Sequence, residues 1–304
     1  MSLIPLPESL KPFLDPYLPT QQVTTITTTT TNNNNNDNKL LKRPFVTLTY
    51  AQSLDSKIAA QPGTQTKLSH LETKTMTHYL RSKHDCILVG IGTILADDPK
   101  LNCRYIEPII DKGVGVGVGV GVGHQIRPVV IDPHGKWQYH QSQLCRICQT
   151  TTIQQQDNKQ NTSPPPPPPP PPPQAAGLAP FIIIDESTIP NVESEKMVNK
   201  QGGKYIKLPL LSTINVSINW VKILQKLYQL GLKSIMIEGG AKIINDLLSI
   251  NDYKLIDSII ITIAPVFLGC NGVTVHPYHN ILLKDINWWT GIQDSIIAGR
   301  IDYQ

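Results

Sequence analysis

Four short apolar runs in this chain share one design, and that design narrows the fold more than any other feature. Cys86–Val89 (CILV), Arg127–Pro133 (RPVVIDP), Phe181–Asp185 (FIIID) and Ser234–Ala241 (SIMIEGGA) are nearly unbroken stretches of aliphatic residues, each closed by glycine, an acid or proline. A strand that is apolar on both faces must be covered on both faces, which is the habit of a sheet sandwiched between helices. Pro44–Tyr50, Lys204–Leu208, Asp257–Ala264 and Ile296–Tyr303 read as further strands.

Helical segments fall between the strands. Ser69 and Glu72 have the S-x-x-E spacing of a capping box, opening a helix whose stripe is Met76, Tyr79, Leu80 and the stem of Lys83. Arg81 lies off that stripe, where it is either solvated or directed at a ligand. Ser217–Leu230 reads as a helix with Ile218, Val221, Leu224 and Tyr228 on one face and Gly231 as its stop. Ile243, Ile244, Leu247 and Leu248 mark a third. Strands alternating with helices make the fold class α/β.

Three tracts cannot belong to the core. Thr24–Asn36 is almost wholly Thr and Asn, Gly113–Gly123 alternates strictly between Gly and Val, and Pro164–Pro173 is all proline. They bury too little apolar surface to offset the entropy of ordering. The expected organisation is a disordered tail over residues 1–41 and one domain over 42–304, with insertions at 111–125 and 152–177. What remains is about 230 residues, enough for one α/β domain.

A formal net charge of +4, from 27 basic and 23 acidic residues without a basic block, gives no nucleic-acid surface. Pro5, Pro7 and Glu8 stand where a signal peptide needs a basic start and an apolar run. Nothing reaches the ~18 apolar residues of a membrane span. Five cysteines, an odd number, point to free thiols in a cytoplasmic protein.

Two strand-to-helix junctions carry the chemistry. In Asp85–Arg104 a buried strand runs into Gly90, Gly92 and Thr93, then Asp97, Asp98, Pro99 and finally Arg104. In Ser234–Ala241 a strand ends in Glu238 and two glycines before a helix. Ligands of open α/β sheets lie beyond such strand ends, and a helix start offers N–H groups to phosphate. Asp55 and Lys57, just past the first strand, could hold a sugar hydroxyl and a phosphate. The plainer alternatives are a solvated loop at Asp55–Lys57, a strand followed by an acidic N-cap loop at Asp85–Arg104, and glycines placed for packing in Ser234–Ala241.

Other signals are discounted. The Gly-Val run cannot supply G-x-G-x-x-G, because its glycines fall only on odd numbers. Cys145 and Cys148 form a lone CxxC without the further ligands of a zinc site, and His276 and His279 flank a proline-containing loop, so no metal is expected. No NTPase phosphate loop, zinc-deaminase signature or G-x-S-x-G is present.

In order, SLDSKIA, LETKTMTHYLRSKHDCILVGIGTILADDPKLNCR, RPVVID, IMIEGGAKIINDLL and DSIIITIAPVFLG resemble one family, the riboflavin-pathway reductases of ribosylamino-pyrimidine phosphates. The reductase domain of the bacterial bifunctional riboflavin enzyme is a relative of that family. The most specific piece is G-x-G-T-x-x-x-D-D-P-x-L joined to a later E-G-G. Ser56 departs from the pattern, since many relatives have glycine there, and the two insertions lie outside it.

The resemblance implies the fold of dihydrofolate reductase, a mainly parallel sheet flanked by helices, in a homodimer using NADPH. It implies cofactor contacts from Thr93, Asp97, Gly239, Gly240, Ala241 and Lys242, and from the strand end Ile131–His134, Asp132 included. Substrate contacts would come from Asp55, Lys57, Ser69, Arg81, Leu101, Arg104 and Glu238. The reaction would be hydride transfer to C1′ of the ribosylamino group, helped by Asp55, Lys57 or Glu238, with no single general acid singled out. Two alternatives stand beside it. One is a same-fold reductase of the deaminated pyrimidine or of a pterin-like substrate. The other is a non-catalytic protein bound through its polyproline tract.

Overall fold

The structure is a computed structural model that describes residues 3–20, 26–29, 40–107, 124–149, 177–210, 219–250 and 254–303. The Thr/Asn, Gly-Val and polyproline tracts lie almost wholly outside the described residues, as do Ser217 and Ile218.

In chain order the strands are β1 (Ile26–Thr29), β2 (Leu40–Arg43), β3 (Phe45–Ser53), β4 (Lys57–Ala59), β5 (Cys86–Gly90), β6 (Arg127–Ile131), β7 (Phe181–Asp185), β8 (Lys204–Leu208), β9 (Ser234–Gly239), β10 (Ser258–Ala264), β11 (Val273–Thr274), β12 (Leu283–Thr290) and β13 (Ser295–Ile301). Nine of them form one sheet in the order β12-β13-β10-β3-β9-β5-β6-β7-β8. Every pairing from β10 to β8 is parallel, and β13 is antiparallel to both neighbours. This is the mainly parallel sheet that the apolar runs predict.

The helices are α1 (Leu10–Leu14), α2 (Leu71–Ser82), α3 (Ile91–Asp97), α4 (residues 143–149), α5 (Val192–Lys200), α6 (Trp220–Gln229) and α7 (Ala241–Leu248). Successive residues of one strand enter opposite cores. Ile87 and Val89 join α1 and α2 on one face, while Cys86 and Leu88 join α6 and α7 on the other. That two-sided burial is why these strands lack polar alternation.

Three local expectations are corrected, and one strand is added. Residues 3–20 are not a loose tail, because Leu10, Phe13, Leu14 and Tyr17 are buried against the α2 face of the sheet. The Tyr79 hydroxyl donates to Asp15 Oδ1 at 2.8 Å, and Trp289 Nε1 donates to Ser9 Oγ at 2.9 Å, tying the segment to α2 and β12. The i, i+3, i+4, i+7 spacing of those four residues carried the signal, masked by the Thr/Asn tract beside it. The capping box does not form either, since the N-cap of α2 is His70 and its side chain accepts no cap bond. Asp294 does the capping from the far end of the chain, accepting His70 N–H at 2.7 Å and the Thr73 hydroxyl at 2.5 Å.

On α6 the buried face is Trp220, Ile223, Leu224 and Leu227, with Val221 and Tyr228 only half-buried. Finally β12 was not foreseen, because it is an edge strand exposed along most of its length and shows no alternation. Gly231 does stop α6, at φ +88°.

Cys145 and Cys148 are both buried, and burial pushes both thiols up, Cys148 to about 11. Among the described residues no group of three or more His, Cys, Asp or Glu is placed to hold a metal. No described helix is long and apolar enough to cross a membrane.

Candidate active site

The two glycine-containing junctions meet. The strands β5 and β9 are parallel neighbours, so α3 and α7 start side by side at the carboxyl edge of the sheet. The Gly240 N–H donates to Thr93 Oγ1 at 3.0 Å and joins the two turns. Side chains could not replace these glycines without displacing a neighbour. A Cβ on Gly90 would lie 2.8 Å from Ile243 Cδ1, and one on Gly239, at φ +109°, would lie 2.9 Å from Ile244 Cδ1. The packing account of the later glycines therefore holds for Gly239, and Gly90 is as tightly placed. At Gly240 the N–H is already engaged by Thr93.

A cleft of about 600 Å³ opens over this junction. Its wall includes Ile91, Thr93, Asp97, Ile131, His134 and Gly240–Ile243. It shares Ile58, Thr66, Thr93, Asp97 and Gly240 with a second, more polar lobe of about 330 Å³. Thr49, Tyr50, Ser69, Thr77, Glu238 and Thr262 face that second lobe. The result is two adjoining arms joined at these shared residues: a mostly apolar one along the ends of β9, β5 and β6, and a hydroxyl-rich one beside β3, β10 and α2.

Asp97 stands where the arms join. Its Oδ1 is buried with no hydrogen-bond partner, and burial pushes the carboxyl up. A buried acceptor left unpaired is costly unless a ligand donor reaches it. Its neighbour Asp98 plays another part, since both of its carboxylate oxygens accept Gln143 N–H at 3.1 Å.

The substrate-side residues are coupled to one another. The pairing of β5 with β9 jumps from Leu88↔Ile237 to Val89↔Gly239, so Glu238 is an extra residue at a bulge. Its carboxylate receives Arg81 at two points, Nε at 2.9 Å and Nη2 at 2.8 Å, while Arg81 Nη1 donates to Asn102 O at 2.9 Å. Of the two readings open for Arg81, solvation is excluded, for its side chain is 13% exposed. Arg104 donates through Nε to His78 Nε2 at 3.1 Å. Burial, with the charges of Arg81 and Arg104, pushes His78 down to about 2 and keeps the ring neutral. Leu101 is buried at φ +49° and turns the chain between these groups.

Several residues expected at the site are placed differently. The Asp132 carboxylate turns inward and accepts Trp137 N–H at 2.8 Å, so Pro133 and His134 face the cleft instead. Asp55 accepts the Ser53 hydroxyl at 2.5 Å, Leu268 N–H at 3.0 Å and Gly269 N–H at 2.8 Å. The Ser53 bond, with those from the Leu268 and Gly269 amides, holds its carboxyl down to about 2. Such a group stays ionised and braces the 265–269 loop; it has no proton to give. Glu238 is likewise committed to Arg81. Lys57 donates to Thr274 Oγ1 at 2.5 Å across the β4–β11 pair, and its stem packs where a Gly272 Cβ would stand.

Sequence reasoning missed Thr49, Tyr50, Thr77 and Thr262 as lining residues. Hydroxyls on otherwise apolar strands were the available signal for Thr49, Tyr50 and Thr262, whereas Thr77 lies on α2. Burial raises the Tyr50 phenol, which therefore stays protonated.

The chain matches the family model described as the RibD C-terminal domain over residues 44–297. It is 50% identical over 301 residues to the 2,5-diamino-6-ribosylamino-4(3H)-pyrimidinone 5′-phosphate reductase of Debaryomyces hansenii, covering 99% of this chain and 100% of the relative. The Candida glabrata protein of the same name is 40% identical, covering 85% and 90%. The solved structure of the Saccharomyces cerevisiae riboflavin biosynthesis reductase Rib7 aligns with a TM-score of 0.65 at 32% identity, over 97% of this chain and 100% of that one. With a mainly parallel sheet, two joined glycine turns and these relatives along nearly its full length, the chain belongs to the RibD C-terminal-domain family of riboflavin-biosynthesis reductases.

Proposed function

We propose that this protein reduces 2,5-diamino-6-ribosylamino-4(3H)-pyrimidinone 5′-phosphate to its ribitylamino form, with NADPH as the reductant. The observation that carries this reading is the joined pair of arms, with Asp97 and Gly240 common to both. A hydride donor in the apolar arm and an acceptor in the polar arm would meet at those residues. The unpartnered Asp97 oxygen and the close glycine backbone suit a nucleotide there. Ile91, Thr93, Ile131 and the Gly240–Ile243 turn would hold it, and when bound it would supply the hydride.

The chain's own groups orient and polarise the substrate. Ring opening of the ribosylamino group exposes an imine, whose carbon must accept hydride while its nitrogen takes a proton. Arg81 and Arg104 suit the 5′-phosphate, with Glu238 fixing the plane of Arg81 and His78 that of Arg104. Of the three helpers the sequence suggests, Lys57 alone combines a proton to give with donors beyond its Thr274 bond. Tyr50 and Thr262 supply hydroxyls to the polar arm.

We also read the protein as a cytoplasmic homodimer. Free cysteines suit a reducing compartment. The edge strand β12 leaves Trp288 58% and Ile286 47% exposed beyond the bulge and charges at Lys284 and Asp285, apolar side chains that a second copy would cover. Light scattering of the purified chain tests the dimer, and a monomer at micromolar concentration rejects it.

The function is tested by incubating the chain with NADPH and the ribosylamino-pyrimidinone phosphate, following nicotinamide absorbance and product mass. Expected is NADPH loss with a product two hydrogens heavier, and much slower turnover of the deaminated pyrimidine. Faster turnover of the deaminated compound would reassign the substrate, and no turnover of either would reject the reading.

A further inference from the structure

The far end of the apolar arm has its own chemistry. If hydride passes where the two arms join, the nicotinamide lies beside Thr93, Asp97 and Gly240, next to β9 and β5. The rest of the dinucleotide then extends away from the substrate arm, toward β6. In the sheet order β3-β9-β5-β6 the end of β6 is two strands beyond β9, roughly 10 Å along the edge. The adenosine ribose therefore falls near Ile131, Pro133 and His134.

An enzyme that uses the unphosphorylated dinucleotide commonly presents a carboxylate to the ribose 2′-hydroxyl at such a strand end. Here the acids that end β6 and β7 are held by backbone amides. Asp132, at the end of β6, is 1% exposed and bound to Trp137 N–H. Asp185, at the end of β7, accepts Ser187 N–H at 3.1 Å and Leu210 N–H at 3.2 Å. The turn is held rigid from below, where Gly135 N–H donates to Asp132 O at 3.1 Å and the Thr188 hydroxyl donates to Pro133 O at 2.7 Å. That framework leaves the exposed His134 ring on the wall of the cleft. Among the described residues lining this arm, the basic side chains are His134 and Lys242. Lys242 sits on α7 beside Gly240, nearer the junction, with Asp246 3.7 Å from its Nζ.

We propose that His134 reads the 2′-phosphate of the cofactor's adenosine ribose and so selects NADPH over NADH. The inference rests on the reductase reading above, which leaves unassigned the residue that makes this choice. Withdrawal of Asp132 removes the repulsion a 2′-phosphate would otherwise meet, and His134 supplies a donor to it.

The test is calorimetric titration of the full chain with adenosine 2′,5′-bisphosphate and with 5′-AMP, which differ only in that phosphate. The wild type is expected to bind the bisphosphate roughly ten-fold more tightly, the worth of one charge-assisted hydrogen bond. His134→Gln should reduce the ratio to about two-fold or less, and His134→Asp should reverse it, the new charge repelling the phosphate. Lys242→Gln should weaken both nucleotides alike and leave the ratio in place. An unchanged ratio in His134→Gln, or equal binding of both probes by the wild type, overturns the proposal. The titration needs no substrate. A wild type inactive with either dinucleotide, yet showing the His134-dependent ratio, would reject the reductase reading while leaving this site supported.

Discussion

Arg81 and Glu238 stand 157 residues apart in the chain and lock together at two points, Nε to Oε1 at 2.9 Å and Nη2 to Oε2 at 2.8 Å. The side chains are 13% and 18% exposed, so solvent screens this pair far less than a surface bridge. It joins α2 to the bulged end of β9 and sets the wall of the polar arm. Glu238→Gln is expected to leave a half-buried guanidinium uncompensated and to cost about 2–3 kcal/mol. The single change should also lower kcat/KM for the pyrimidine phosphate. Urea unfolding of both singles and of the Arg81→Gln/Glu238→Gln double should show coupling of about 1–2 kcal/mol. Strict additivity would mean the pair carries no energy.

Asp97 should trade stability for binding. Burial raises its folded-state pKa above the unfolded value of 3.8. The folded chain thus holds this proton more firmly than the unfolded one, and the resulting stability is lost as pH rises from 3.8 through the folded pKa. Asp97→Asn is therefore expected to raise Tm at pH 7, with the gain shrinking toward zero as pH falls below 3.8. The same variant should bind NADPH more weakly, because Asn keeps only one acceptor oxygen for a ligand donor. Thermal melts across pH with a parallel cofactor titration check both halves.

Ser56 sits at φ +60°, where an L side chain crowds its own backbone. A glycine between Asp55 and Lys57 would adopt this conformation without that crowding. Ser56→Gly should stabilise the fold by about 1 kcal/mol, offset in part by the entropy of the freer unfolded chain. Differential scanning calorimetry should show a higher Tm with turnover preserved; a lower Tm would mean the serine side chain contributes more than the strain it carries.

Asp294 should behave as a helix cap supplied from the other end of the chain. It is 2% exposed and accepts from His70 N–H and the Thr73 hydroxyl. Asp294→Ala is expected to cost about 2 kcal/mol, the upper range for a lost cap, since two donors lose their partner together. Ser69→Ala, at the position the local motif favours, should leave Tm nearly unchanged. The reverse order of effects would restore the capping box.

Much of the architecture was present in the order of residues. Phe181–Asp185 and Lys204–Leu208 are strands over the span their composition marks, the first because an aliphatic run of that length has few places to go except between two helical layers, the second because it alternates. Ile243, Ile244, Leu247 and Leu248 face the core as their spacing requires. The two glycine turns were legible as places of close backbone approach, since strand ends with no Cβ admit it.

Spacing could not choose between degenerate answers. On α6 the stripe through Val221 and the one through Trp220 and Ile223 fit a helical period equally well, and only the position of the sheet selects the second. The acids show the same limit more sharply. Asp55, Asp97, Asp132 and Glu238 all stand near strand ends in the sequence. Folding gives Asp55 to a loop, one oxygen of Asp132 to a backbone amide and Glu238 to an arginine, and leaves one buried oxygen each of Asp97 and Asp132 without a partner, with Asp97 the one that lines the cleft. The chain's own order determined that carboxylates would gather at this edge. Tertiary structure decided which were already satisfied, because a carboxylate's partners come from segments tens or hundreds of residues away.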